Sequence, residues 1–316
     1  MRSRSLDSQL TPLRRYNSGM ATIEAAPALS PERDRTLALG AAVLTVTLWA
    51  SAFVGIRSAG RHFSPGGLAL GRQIVGAAAL GVLVLLRREP LPGRRDLPAI
   101  AFCGVLWFGL YSVALNDAER RLDAGTASML VNVGPILIAL LAGLLLREGF
   151  PRTLLAGSAV AFGGVVVIGL ATAHRGPAPS WGAVLCLLAA AAYAGGVVTQ
   201  KPVLARVSPL QMTWLACTAG AVSCLPFAGS LAHEVGKAPA DAVGWVVYLG
   251  IVPTAIGFIA WAFALSRTTA GRMGSTTYLV PPIATVLGWL VLGETPPALA
   301  FAGGALCLAG VALSRR

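Results

Sequence analysis

Residues 124–151 read AGTASMLVNVGPILIALLAGLLLREGFP, and residues 270–297 read AGRMGSTTYLVPPIATVLGWLVLGETPP. At an offset of 146 residues, Ala124 and Gly125 fall on Ala270 and Gly271, Pro135 on Pro281, Glu148 on Glu294 and Pro151 on Pro297. The register continues through Gly157/Gly303 and Gly164/Gly310. Alanine and leucine matches carry little information in a chain this rich in both, but a scarce glutamate flanked by prolines at fixed distances does. The chain is a duplicated unit. Farther back the match is fainter and the offset is 144, with Phe63-Ser64-Pro65 on Val207-Ser208-Pro209 and Trp49 on Tyr193.

The duplicated unit is built for lipid. Hydrophobic residues make up 55% of 316, charged residues 12%, and mean hydropathy is +0.71, against roughly 25% charge in soluble domains. Apolar runs of about 20 residues, each long enough as a helix for a hydrocarbon core of about 30 Å, recur near 37–56, 67–86, 97–116, 124–146, 153–172, 181–200, 209–228, 242–265, 271–293 and 297–314. Five spans per copy is an odd number, so tandem copies enter the membrane from opposite sides. The expected fold is therefore an all-α integral membrane protein of ten transmembrane helices in two inverted five-helix repeats, 36–173 and 180–316, after a disordered cytoplasmic tail, 1–35.

A net charge of +12 would suggest nucleic acid in a soluble protein, but here the basic residues sit in short loops between apolar runs. Arg57, Arg61, Arg120, Arg121, Arg175 and Lys237 fall in one set of loops and Arg72 within a span; the rest of the 25 Lys and Arg fall on the other side with the tail. The positive-inside rule then places both termini in the cytoplasm and the protein in the cell membrane. Membrane lipids are its surroundings, and nucleic acid is not an expected partner. The five cysteines lie in apolar runs without C-x-x-C spacing and report no redox compartment. The first run lacks a cleavage site and reads as a span. Oligomeric state is not encoded in these patterns.

Inverted repeats place a solute site near the membrane midplane, at helices broken there, and supply two pseudo-equivalent conformations. In the fourth span Ser128, Asn132 and Pro135 share one helical face at i, i+4, i+7 spacing. Pro135 cannot donate its backbone N–H and bends the helix. The ninth span answers with Tyr278, Pro281 and Pro282, flanked by Thr277, and Tyr278 is the leading single candidate. Among the aromatics, Trp107, Tyr111 and Tyr193 are deep enough to line a cavity, whereas rings nearer span ends, such as Trp49 and Phe53, fit interfacial belts. Arg72 is an intramembrane cation with no acidic residue at comparable depth; it snorkels, caps carbonyls or attracts a solute carboxylate. Glu148 and Glu294 stand at span ends, as gates or as helix-capping anchors. No catalytic constellation is visible. His62, His174 and His233 fall in loops without ligand spacing, and neither a Walker motif nor a G-x-S-x-G elbow occurs, so no metal, cofactor or enzymatic role is expected.

Ten spans in two halves, Trp49-Ala50-Ser51 in the first span, Pro65 ahead of Arg72, and a proline followed by a glutamate in spans four and nine together resemble the EamA-type branch of the drug/metabolite transporter superfamily. The resemblance covers 37–314; Ala50 stands where that family often has glycine. It implies a secondary carrier with a central cavity, commonly an exporter of amino acids, related metabolites or drugs. Nucleotide-sugar and sugar-phosphate carriers share the architecture. A phosphate-bearing solute would want several deep cations, and only Arg72 is present, so a neutral, zwitterionic or weakly amphipathic small metabolite is the expected substrate. A passive channel or a non-transporting membrane sensor is the alternative.

Overall fold

The structure is a computed structural model that describes residues 31–121, 130–172, 180–292 and 298–314; Ser128 and Glu294 lie outside the described residues. Described residues form ten helical segments: α1 (Pro31–Ala59), α2 (Pro65–Arg87), α3 (Leu97–Ala118), α4 (Gly134–Leu145), α5 (Arg152–Thr172), α6 (Ser180–Val203), α7 (Pro209–Ser223), α8 (Ala240–Ser266), α9 and α10 (Ala298–Ser314). The ninth, α9, is two helices, Ala270–Thr276 and Val280–Leu292, joined by a 3-10 turn at Thr277–Leu279. Five of them, α1, α2, α3, α6 and α8, are each long and apolar enough to cross a membrane. Leu85, Leu86, Leu144, Leu145, Leu170 and Leu290 are mostly exposed on the outer surface of the bundle. That arrangement is costly in water and natural in lipid.

Sequence signals set the helix ends. Ser64 and Ser208 occupy equivalent N-caps, accepting from Gly67 N and Gln211 N, with Pro65 and Pro209 filling the first helical position where no N–H is missed. Arg88 ends α2 in the left-handed conformation at φ 51°. Two boundaries differ from expectation. The first helix begins at Pro31, inside the stretch read as tail. After a 54° bend α7 resumes as Leu225–Val235, where a loop was expected from 229; Pro226, lacking an N–H, accounts for the bend.

The packing exchanges the two halves. The α1–α8 contact is matched by α6–α3, α1–α9 by α6–α4, and α2–α8 by α7–α3. Three helices, α2, α4 and α5, pack on their own counterparts α7, α9 and α10. The last of these crossings is the closest. A Cβ on Gly157 would lie 2.4 Å from Ser314 N and 2.6 Å from Gly310 O, and one on Gly164 would lie 2.5 Å from Gly303 O. Gly157 thus meets the counterpart of Gly164, and Gly164 the counterpart of Gly157, as an antiparallel pair about a two-fold axis requires.

The duplication extends to backbone irregularities. A π-helical turn runs from Gly104 to Leu110 in α3 and from Gly250 to Ile256 in α8, at equivalent positions. In α8, Pro253 cannot donate its N–H, and its own carbonyl accepts from Trp49 Nε1 at 3.2 Å.

Candidate functional site

A cavity opens between the halves. Its lining comes from both: Trp49, Phe53 and Ile56 of α1, Arg72 of α2, Trp107, Tyr111 and Ser112 of α3, and Val131, Asn132 and Pro135 at the start of α4. The second half contributes Tyr193 of α6, Phe258 of α8, and Thr277 and Val280 where α9 is broken. Of the residues expected from sequence, Arg72, Trp107, Tyr111, Asn132, Pro135, Tyr193 and Thr277 meet here. Pro281 sits behind the break, buried, its carbonyl accepting from Thr285 Oγ1.

Tyr278 points elsewhere. It is fully buried in a cluster with Ala161, Val165, Cys307 and Val311, between α5 and α10. The tight turn at Thr277–Leu279 sends adjacent side chains to opposite sides, so Thr277 faces the cavity and Tyr278 the α5–α10 interface. Helical spacing alone could not separate the two.

Aromatic rings close the floor. Trp49 stacks on Trp261 at 4.9 Å between centroids, Trp107 meets Trp49 edge-on at 5.9 Å, and Phe258 lies 5.0 Å from Trp49 and 4.9 Å from Trp107. Trp261 Nε1 donates to Gln200 Oε1 at 3.1 Å, fixing the stack. Tyr193 packs on Trp107 at 5.1 Å, and its buried hydroxyl is directed at Thr277 with a geometry short of a hydrogen bond. Trp49 and Phe53 are cavity residues and not belt residues. A signal for Trp49 existed: the repeat aligns it with Tyr193.

Arg72 is 7% exposed and does not snorkel. Its Nε and Nη2 donate to Thr254 Oγ1 at 3.3 and 3.1 Å, and Thr254 is carried by the π-helical turn of α8. Toward the mouth, past Ile56, a vestibule is lined by Arg57, Arg61, Asn116, Glu119 and Arg120. Sequence reading left Glu119 outside the membrane. The structure extends α3 to Ala118 and folds Glu119 under, both carboxylate oxygens sealed from solvent and without a hydrogen-bond partner among the described residues. Burial pushes its carboxyl up to about 8, with Arg57 and Arg72 pulling the other way.

The opposite end, which holds Pro31 and Ser314, is tied shut across the halves. Glu148 accepts from Ala270 N and Gly271 N at 2.8 and 3.2 Å, Arg206 Nη2 pairs with Asp96 at 2.6 Å, and Arg267 Nε pairs with Asp34 at 2.8 Å. Ser208 donates to Glu89 and Gln211 to the Pro90 carbonyl. Glu148 therefore caps a helix, but the first helix of α9 in the other repeat and not the next one in sequence.

The profile of the EamA-like transporter family matches residues 36–170 and again residues 180–316. A protein named "Probable terminal-alkyne amino-acid exporter" from Streptantibioticus cattleyicolor is 41% identical over 282 residues, covering 88% of this chain and 93% of that protein. "Uncharacterized transporter YdfC" from Bacillus subtilis is 34% identical over 268 residues, covering 85% and 87%. "Probable amino-acid metabolite efflux pump" from Salmonella typhimurium is 25% identical over 280 residues, covering 85% and 92%. A solved crystal structure superposes with a TM-score of 0.71 over 90% of this chain and 97% of its own, at 20% identity, and so shares the fold.

Proposed function

Because this chain belongs to the EamA-like transporter family, we propose that it is a secondary carrier of the cytoplasmic membrane that exports amino acids or related small metabolites by alternating access. The observation that carries the proposal is the asymmetry of an otherwise two-fold arrangement. The aromatic-lined cavity opens toward the Glu119 end, while ties between the repeats close the Glu148 end. Exchanging the roles of two inverted halves would give the opposite state. With the termini in the cytoplasm, the conformation described is the outward-open one, and Glu148 acts as the cytoplasmic gate.

The solute class rests on the cavity and on the relatives. Stacked rings offer apolar and cation–π contacts, and Arg72, Asn132 and Thr277 supply the polar groups. Two relatives are named for amino-acid or amino-acid-metabolite export. The ring stack beneath the cavity favours a carrier over a passive channel.

Proteoliposomes loaded with radiolabelled leucine or phenylalanine test this directly. Efflux should exceed that from protein-free vesicles and accelerate when unlabelled solute is placed outside. Flux without such counterflow would mark a channel, and no flux across a panel of amino acids would sink the carrier reading.

A further inference from the structure

The cavity is bipartite, with one cation set in an otherwise aromatic box, and the way that cation is held says what it awaits. A guanidinium has five N–H donors. Thr254 Oγ1 takes one from Nε and one from Nη2, along one edge of the plane. The end-on fork, made by Nη1 and the remaining Nη2 hydrogen, belongs to the side chain that lines the cavity. Among the described residues no carboxylate forms an ion pair with Arg72.

A buried cation is costly unless something answers it, and a planar fork matches a carboxylate through two parallel hydrogen bonds. The remaining walls, Trp49, Phe53, Trp107, Tyr193 and Phe258, fit an apolar group and offer no second cation. A dianionic phosphate is poorly served there.

On the transporter reading above, we infer that Arg72 is the carboxylate receptor of the cavity, that Thr254 is the positioning residue that aims it, and that the solutes are monocarboxylates with an apolar side chain, α-amino acids among them. The carboxylate docks end-on at Nη1 and Nη2, and the apolar part lies against the rings. Asn132 and the Thr277 hydroxyl face the same space. Thr277 donates to Gly274 O, which leaves its oxygen lone pairs available to an ammonium. Thr254 reaches the cation because the π-helical turn carries it, so recognition depends on a backbone feature of the second repeat and a side chain of the first.

The test uses the full chain in nanodiscs, reading the change in intrinsic tryptophan fluorescence, to which the cavity residues Trp49 and Trp107 contribute, with L-leucine, L-phenylalanine, 3-phenylpropionate and the two amino-acid methyl esters as probes. Each amino acid should bind at least tenfold more tightly than its ester, and 3-phenylpropionate should bind as an acid. Arg72→Lys and Arg72→Gln should collapse that ratio toward one. Lys keeps the charge without the fork, which covers the case in which the Gln variant fails to fold. Thr254→Val should reduce the ratio severalfold, with rescue by Thr254→Ser, a pattern that a general packing defect would not give. Equal binding of acids and esters, an acid preference retained in Arg72→Gln, or no binding by any probe would overturn the assignment. Acid-selective binding without flux in proteoliposomes would refute transport and leave this assignment standing; flux that ignores the carboxylate would do the reverse.

Discussion

Glu119 shows how a single side chain can set a pH dependence that its neighbours in sequence do not announce. Its sealed carboxylate prefers the neutral form, so its value of about 8 in the folded protein stands above the ordinary 4.5. Between those values the folded state holds more protons than the unfolded one, and stability falls as pH rises. The contribution is fully present below about pH 4.5 and lost above about pH 8. Glu119→Gln should remove this slope, raising Tm at pH 9 while leaving it nearly unchanged at pH 5, as thermal unfolding at the two values would show. Equal shifts at both pH values would mean that the carboxyl titrates normally. Hydropathy could not place Glu119, because it stands one residue past the end of α3 and is sealed by groups of α1 and α2. Tyr278 and Thr277 illustrate the same limit. They are neighbours in sequence, and the cavity takes one while the α5–α10 interface takes the other.

At the level of elements, the duplication was legible because proline, glycine and glutamate are informative residues, and the span count followed from run length. What periodicity could not supply was the phase. A π-helical turn inserts a residue into the helical register and rotates everything beyond it, and two such turns lie in helices that line the cavity. Phe258, which lines the cavity, and Thr254, which holds Arg72, were not among the expected residues, whereas Asn132 and Pro135, beside a proline break, were. The glycines divide on similar grounds. A methyl group on Gly310 would stand 2.3 Å from Ala161 N and 2.6 Å from Gly157 O, while one on Gly163 would meet nothing within 4 Å. Gly310→Ala should cost about 1–3 kcal/mol through overpacking against backbone. Gly163→Ala should be neutral or stabilising by up to about 1 kcal/mol through helix propensity. Denaturation in matched detergent distinguishes them, and equal behaviour would mean that α5 and α10 do not cross as closely as described.

For the whole molecule, the pairing of inverted halves makes the closed end as informative as the open one. Among the described residues five ties join the repeats near Pro31 and Ser314, and only one of them, Glu148 with Ala270 N and Gly271 N, lets a carboxylate cap the helix N-terminus that leads into the break of α9. The tie gathers two charge-assisted hydrogen bonds and the positive pole of a helix onto one side chain, so Glu148 holds one end of the short helix whose other end leads into the turn bearing the cavity residue Thr277. Substituting Glu148→Gln keeps the shape and removes the charge. Hydrogen bonds to charged groups contribute about 1.5–3 kcal/mol, so the ratio of closed to open at this end should fall roughly ten- to a hundredfold. The change can be read at Ala139, which is 5% exposed and packs at 3.8 Å from the Cβ position of Gly271. A cysteine placed there should react slowly with a membrane-impermeant maleimide in the parent and at least tenfold faster in Glu148→Gln; the five native cysteines, all buried, keep the background low. An unchanged rate in a normally folded variant would assign closure to Asp96–Arg206 and Asp34–Arg267 instead. Saturating leucine, if it is carried, should lower reactivity at the Glu119 end as it raises reactivity at Ala139, because two inverted halves cannot open both ends in one rocking motion.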